Sequence, residues 1–285
     1  MTRRNNKTQQ TQMPDGAEVK DANVAAEASD ANVAAEASDA DVAAEASDAF
    51  VVLIPYVKPT KTPDSLEIVI RAWQKNAQFP VRLVIIGDKP DFDIEGIDVE
   101  HVSAPTGNPH VHIEVCRGIQ EFISKEKCAR FILAHDDEVP LQPFMPADLK
   151  ATAFREFPEL DPASDNFFIS DMARTVEKLK EMSINPIFFS GHAPHVYDSE
   201  VFLQMIEDYE LTEVGFDYEV LYFCTKHIEP VYLDNPFDNG YSFLIMQFDE
   251  LDRVKDRLAT HQWCSFGGSC TSQVYYDTVA KYLES

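Results

Sequence analysis

The stretch Phe131-Ile132-Leu133-Ala134-His135-Asp136-Asp137-Glu138-Val139 sets the frame for the rest of the chain. Its apolar half reads as a strand buried on both faces of a sheet, and three consecutive acids follow it. Adjacent carboxylates repel one another, and burying one without a partner is costly. Such a cluster either faces water as an acidic turn or holds a cation, and Mg²⁺ or Mn²⁺ are the hard cations that take carboxylate oxygens. If the strand continues through the acids, Asp136 and Glu138 point to one side and Asp137 to the other. Asp136 and Glu138 are then the preferred metal pair.

Upstream, Phe50-Val51-Val52-Leu53-Ile54-Pro55 begins the folded part abruptly as a short apolar strand. Asp64 followed by Glu67 predicts a capping box and a helix with Leu66, Val69 and Trp73 on its inner face. Val81 to Asp88 reads as a second strand ending in Gly-Asp, and Val99 to Val102 as a third. Asn108 and Pro109 are the expected N-cap and first position of a helix reaching about Lys125, with Val111, Val115, Ile119 and Phe122 inward. His110 and His112 fall on alternate sides of that helix start and are expected to share no ligand. This order predicts a mostly parallel α/β sheet, in which ligands bind at the carboxyl ends of the strands. Gly87-Asp88 and the acid triplet both stand at such ends.

Downstream, Pro140 to Asp165 is Pro-rich and irregular, the composition of a mobile or acceptor-binding loop. A helix is expected over Asp171 to Met182, and a strand over Pro186 to Ser190 delivering Gly191-His192-Ala193-Pro194-His195. Further helices are expected after Asp198, near Gly215 to Glu219, over Phe248 to Ala259 and over Ser272 to Leu283. Short strands are expected at Val231 to Leu233 and Tyr241 to Met246. Trp263 to Cys270 reads as a Gly-rich turn.

Residues 1 to 49 form a separate segment. Asp21-Ala-Asn-Val-Ala-Ala-Glu-Ala-Ser29 recurs from Asp30 and, with Asp41 replacing Asn, from Asp39. Ten acids against four bases give it a net charge of -6. With only valines as large aliphatics among the repeats, it is expected to be a disordered acidic spacer.

The whole chain of 285 residues carries a formal charge of -25, which disfavours nucleic acid as a partner. Its five cysteines form no C-x-x-C pair, so a reducing, cytoplasmic setting is the simpler expectation. The basic start is followed by no apolar run, unlike a secretory signal. No stretch approaches the length of a membrane span.

Residues 50 to about 235 resemble the GT-A glycosyltransferase fold, a mostly parallel Rossmann-like sheet flanked by helices. The resemblance rests on Ile54-Pro55-Tyr56, Ile86-Gly87-Asp88, the helix bearing Arg117-Gly118, and the acidic strand end, which looks like a D-x-D-type motif. Ser190-Gly191-His192-Ala193-Pro194-His195-Val196 also resembles a stretch in bacterial and phage polysaccharide sugar transferases and in Stealth-type sugar-phosphate transferases. In this chain His135 precedes the acids, Lys89-Pro90 follows Gly87-Asp88, and residues 1 to 49 have no counterpart.

The resemblance implies a nucleotide-sugar donor, a glycan or other hydroxyl acceptor, and Mn²⁺ or Mg²⁺ gripping the donor diphosphate. It places Pro55, Tyr56, Asp88, Arg117, Asp136 and Asp137 around the nucleotide-sugar, with Asp137 directed at a ribose or an acceptor hydroxyl. Asp136 and Glu138 would hold the metal, and His192, three residues before His195, could complete the site. Asp217 would be the general base of an inverting member, or simply a helix cap. A phosphotransferase or phosphohydrolase using the same acids, or a binding module without catalysis, are the competing readings.

Overall fold

The computed structural model describes residues 49–92, 97, 99–104, 107–108, 110–189, 193–235 and 238–285. The nine-residue repeats, Pro109 and the Ser190–His192 segment, with its proposed metal ligand His192, lie outside the described residues.

Alternation in the first strand explains the central sheet. Strand β1 (Phe50–Tyr56) pairs in parallel with β2 (Val81–Gly87) on one side and β4 (Arg130–Leu133) on the other. Strand β3 (Val99–Ser103) extends the β2 edge in parallel. Val52, Ile54 and Tyr56 face one apolar cluster, while Val51 and Leu53 face a second. Both faces of β1 are therefore buried, which is why it reads as a continuous apolar run.

Two helices cover these faces. Helix α1 (Leu66–Asn76) inserts Leu66, Val69, Ile70 and Trp73 on the first. Helix α2 (Val111–Glu126) presses Val115, Ile119 and Phe122 onto the second. Its Gly118 is required there: a Cβ would stand 2.1 Å from Ile86 Cγ2. The other elements are β5 (Glu138–Pro140), β6 (Thr152–Phe154), α3 (Phe167–Glu181), β7 (Phe188–Phe189), β8 (His195–Asp198), α4 (Ser199–Asp208) and α5 (Tyr218–Thr225). They are followed by β9 (Val231–Leu233), β10 (Ser242–Ile245), α6 (Leu251–Leu258), β11 (Trp263–Phe266) and α7 (Gln273–Glu284). The sheets run β3-β2-β1-β4-β8, β10-β11-β5 and β7-β6-β9. Only β8 is antiparallel within the first, so the mostly parallel expectation holds.

Several local expectations need correction. The strand at Phe131 stops at Leu133, and Asp136-Asp137 form a turn before Glu138 opens β5 in another sheet. Glu138 pairs with Ser265 of β11, within the segment expected to be a Gly-rich turn. The Asp64–Glu67 capping box is absent: Asp64 Oδ1 accepts the Leu66 N–H at 3.0 Å, while Glu67 pairs with Arg71. Helix α2 starts at Val111 with His110 as its N-cap, not at Pro109, and Val111 is exposed instead of inward. Helix α3 starts four residues earlier than expected because Asn166 caps it, its side chain accepting the Phe168 N–H.

Among the described residues no helix is long and apolar enough to cross a membrane.

Candidate active site

Chain order reverses at β1, with β2 on one flank and β4 on the other. In parallel sheets this opens a crevice at the carboxyl ends of the strands. A cavity of about 450 Å³ lies there. Pro55 and Tyr56 end β1 at its wall, Ile86 and Gly87 end β2, and the turn from His135 to Glu138 follows β4. The start of α2 (Val111, His112) and the start of α5 (Asp217, Tyr218, Glu219) face them, with Phe168, Phe188 and Phe189 as an apolar wall.

The acid triplet divides in a way that an extended strand could not produce. Glu138 is buried, its Oε2 accepting the His135 N–H at 3.0 Å and its Oε1 lying 3.3 Å from His135 Nδ1. Asp136 and Asp137 remain at the turn, half-buried, with no Lys or Arg partner among the described residues. The Ser65 hydroxyl donates to the Asp136 carbonyl at 2.8 Å, which ties the turn to the start of α1. Desolvation, then repulsion from Asp137 and Asp64, pushes the Asp136 carboxyl up to about 7 against the relief from His135. Desolvation and Glu138 push Asp137 up to about 6. For His135 desolvation opposes its charge, but Glu138 and Asp137 outweigh it and push the imidazole up to about 10.

Hard carboxylate oxygens with no Lys or Arg partner among the described residues are a donor set that fits Mg²⁺ or Mn²⁺. Among the described residues no three His, Cys, Asp or Glu side chains are grouped to hold a metal ion. Asp136 and Asp137 would therefore share a cation with the oxygens of a ligand. Mg²⁺ in particular behaves this way, binding through one or two carboxylates plus substrate phosphates.

The remaining expected residues fall differently. Tyr56 is buried and its hydroxyl donates to Asp64 Oδ2 at 2.5 Å. Asp88 does not line the cavity; its Oδ2 accepts the Lys58 N–H at 2.9 Å just beyond the end of β2. Arg117 points away and meets the exposed Glu213 at 3.1 Å. His195, beside Leu133 on β8, is buried with Nδ1 2.7 Å from Glu219 Oε1, so it addresses Glu219 and not the acidic turn. Asp217 lines the cavity as the N-cap of α5, with Oδ1 accepting the Val220 N–H at 2.9 Å. Desolvation is the main cause that pushes it up to about 6, with His112 pulling the other way.

His112 and its partner Asp171 are a pair that helical spacing does not predict. His110 Nδ1 lies 2.8 Å from Asp171 Oδ1 and His112 Nδ1 lies 3.0 Å from Asp171 Oδ2. The two histidines thus share one carboxylate, contrary to expectation. His110 is the N-cap, with φ -86° and ψ 84°, so helical spacing does not apply to it. Asp171 is buried on α3, where Arg174 also pairs with it. Desolvation works against its charge, yet His112 and His110 hold the carboxyl below the usual range. Gly215 backs this cluster, and a Cβ there would stand 2.5 Å from Asp171 Oδ1.

No protein-family profile and no curated protein matches this chain. Among solved structures it is similar to the crystal structure of a glycosyltransferase involved in glycosylation of the major capsid of PBCV-1. The identity is 12% and the TM-score 0.40, over 83% of this chain and 99% of that one. A likeness of that size says nothing about the residues of the cavity.

Proposed function

We propose that this chain is a metal-dependent glycosyltransferase that moves a sugar from a nucleotide-sugar to an acceptor hydroxyl in glycan or polysaccharide synthesis. The observation that carries the reading is the half-buried pair Asp136 and Asp137 lining the cavity where β1, β2 and β4 end. Cleaving a glycosyl–diphosphate bond builds negative charge on the leaving group, and the site must meet that charge. Asp136 and Asp137 would hold the cation, and when bound a Mn²⁺ or Mg²⁺ ion supplies positive charge to the diphosphate. Glu138 stands behind them and fixes the turn.

The chain's own groups do the rest. Helix α2 brings its first turn to the cavity, where the helix dipole favours an anion. Pro55, Tyr56 and Gly87 form a wall against which the nucleoside would lie. Phe168, Phe188 and Phe189 keep water from the reacting carbon, which strengthens every polar contact inside. Asp217, Glu219 and His112 supply proton-accepting groups at the same cavity.

The test is thermal melting of the full chain with uridine, guanosine and cytidine diphosphates, each with and without Mn²⁺, followed by release of nucleoside diphosphate from the matching sugar donors. One nucleotide at a hundredfold excess over its Kd should add about 2.7 kcal/mol, but only with the cation present. Asp136→Asn should remove that gain. A chain with no shift and no turnover under any combination sinks the reading.

A further inference from the structure

We infer that His112, oriented by the buried carboxylate of Asp171, is the group that takes the proton from the acceptor hydroxyl. The inference rests on the transferase reading of the cavity and names its base. Asp171 is 1% exposed and lies across the fold from His112 in sequence, yet its Oδ2 stands 3.0 Å from His112 Nδ1. An ionised carboxylate can only accept, so Nδ1 donates to Asp171, and the tautomer this selects carries its lone pair on Nε2. That second nitrogen belongs to a side chain that lines the cavity. The Tyr218 ring, perpendicular to the imidazole at 5.4 Å, fixes its tilt.

The charged groups next to His112 on α2, α3 and the start of α5 fit this arrangement. On α3, Arg174 pairs with Asp171 and also donates to the Gly215 carbonyl at 2.8 Å, so the carboxylate cannot swing away. On α5, Asp217 lies near enough to feel His112, but one of its oxygens caps the helix. On its own element, Glu114 is turned back to accept the Gly107 and Asn108 N–H groups. His110 takes the other oxygen of Asp171 and packs its ring against Phe167 at 4.4 Å. His112 is thus an imidazole both fixed by a carboxylate and lining the cavity, as is His135, which Glu138 holds beside the acidic turn.

The step balances without any further reagent. The acceptor oxygen forms a bond to the anomeric carbon of the donor while the bond from that carbon to the diphosphate oxygen breaks. The hydroxyl proton passes to His112 Nε2, and the electron pair leaves with the diphosphate. Asp171 then stabilises the imidazolium, as a carboxylate behind a catalytic histidine does.

The test compares the wild-type chain with His112→Gln and His112→Ala. His112→Gln should lower kcat about 100-fold or more while KM changes less than about threefold, since the group acts on the proton in transit. Added imidazole should restore part of the His112→Ala rate, an effect that a purely structural role would not show. The Mn²⁺-dependent melting shift with nucleoside diphosphate should persist in both variants and report an intact fold and donor site. If the wild-type chain turns over a sugar donor and His112→Gln matches it within threefold, or imidazole rescues nothing, the role of His112 is overturned and the transferase reading stands. If the wild-type chain neither binds nor turns over any nucleotide-sugar, that reading falls and the role of His112 with it.

Discussion

Glu138 folds back on His135: its Oε2 accepts the His135 N–H at 3.0 Å, while its own N–H donates to the His135 carbonyl at 3.3 Å. The two bonds close the turn that carries Asp136 and Asp137 and hand the chain from the central sheet to β5.

Glu138 is therefore expected to act through the turn. Glu138→Gln keeps an oxygen for the His135 N–H and should stay within about 1 kcal/mol of wild type, with the cation-dependent shift intact. Glu138→Ala orphans that N–H and should cost about 1–3 kcal/mol in urea unfolding. Loss of cation binding in the Gln variant, equal to that of Asp136→Asn, would make Glu138 a ligand instead.

The pH dependence follows from the raised acids. Asp136 at about 7, and Asp137 and Asp217 at about 6, all sit above the ordinary value of 3.8. The folded state therefore holds protons that the unfolded state has released. Their stabilising contribution is complete below about pH 4 and is lost as pH rises through 6 to 7. The chain should melt at a higher temperature at pH 5 than at pH 8, and Mn²⁺ should raise the pH 8 value. The double variant Asp136→Asn/Asp137→Asn should flatten the pH slope. Asp171 works in the opposite direction, but its carboxyl is lowered, so its effect begins only below about pH 4.

Gly215→Ala should destabilise the chain by about 1–3 kcal/mol through overpacking. The new Cβ meets Asp171 Oδ1 at 2.5 Å, and Asp171 cannot move because His110, His112 and Arg174 hold it. Gly268→Ala meets nothing within 4 Å and is the control, expected within about 0.5 kcal/mol by thermal unfolding.

Arg117→Ala should change stability by less than about 1 kcal/mol and leave nucleotide-dependent melting untouched, because its partner Glu213 is a solvated surface acid. A lost nucleotide shift would place Arg117 back at a phosphate.

Where local chemistry decides the outcome, the text of the chain was legible. The runs at Phe50, Val81 and Phe131 are apolar on both sides of the pleat, and they form the parallel sheet. Asp198, Asp217 and Ser272 stand where helices begin, and the first two cap them through their side chains. Where the chain leaves a regular element, spacing misled. Strand alternation pairs Asp136 with Glu138, but the strand ends at Leu133, and helical spacing separates His110 from His112, but His110 is an N-cap.

The sequence by itself determined that a buried strand runs into three acids at the ligand-binding edge of an α/β sheet, because period and composition act over a few residues. Tertiary structure alone decided which acids remain open and what stands opposite them. Glu138 is turned inward by its pairing with Ser265 and its bond to His135, a choice made by a strand more than a hundred positions away. Asp171 reaches His112 from another helix, 59 residues on. The physical reason is that a buried carboxylate must find its donors wherever the fold brings them, and no local pattern records that meeting.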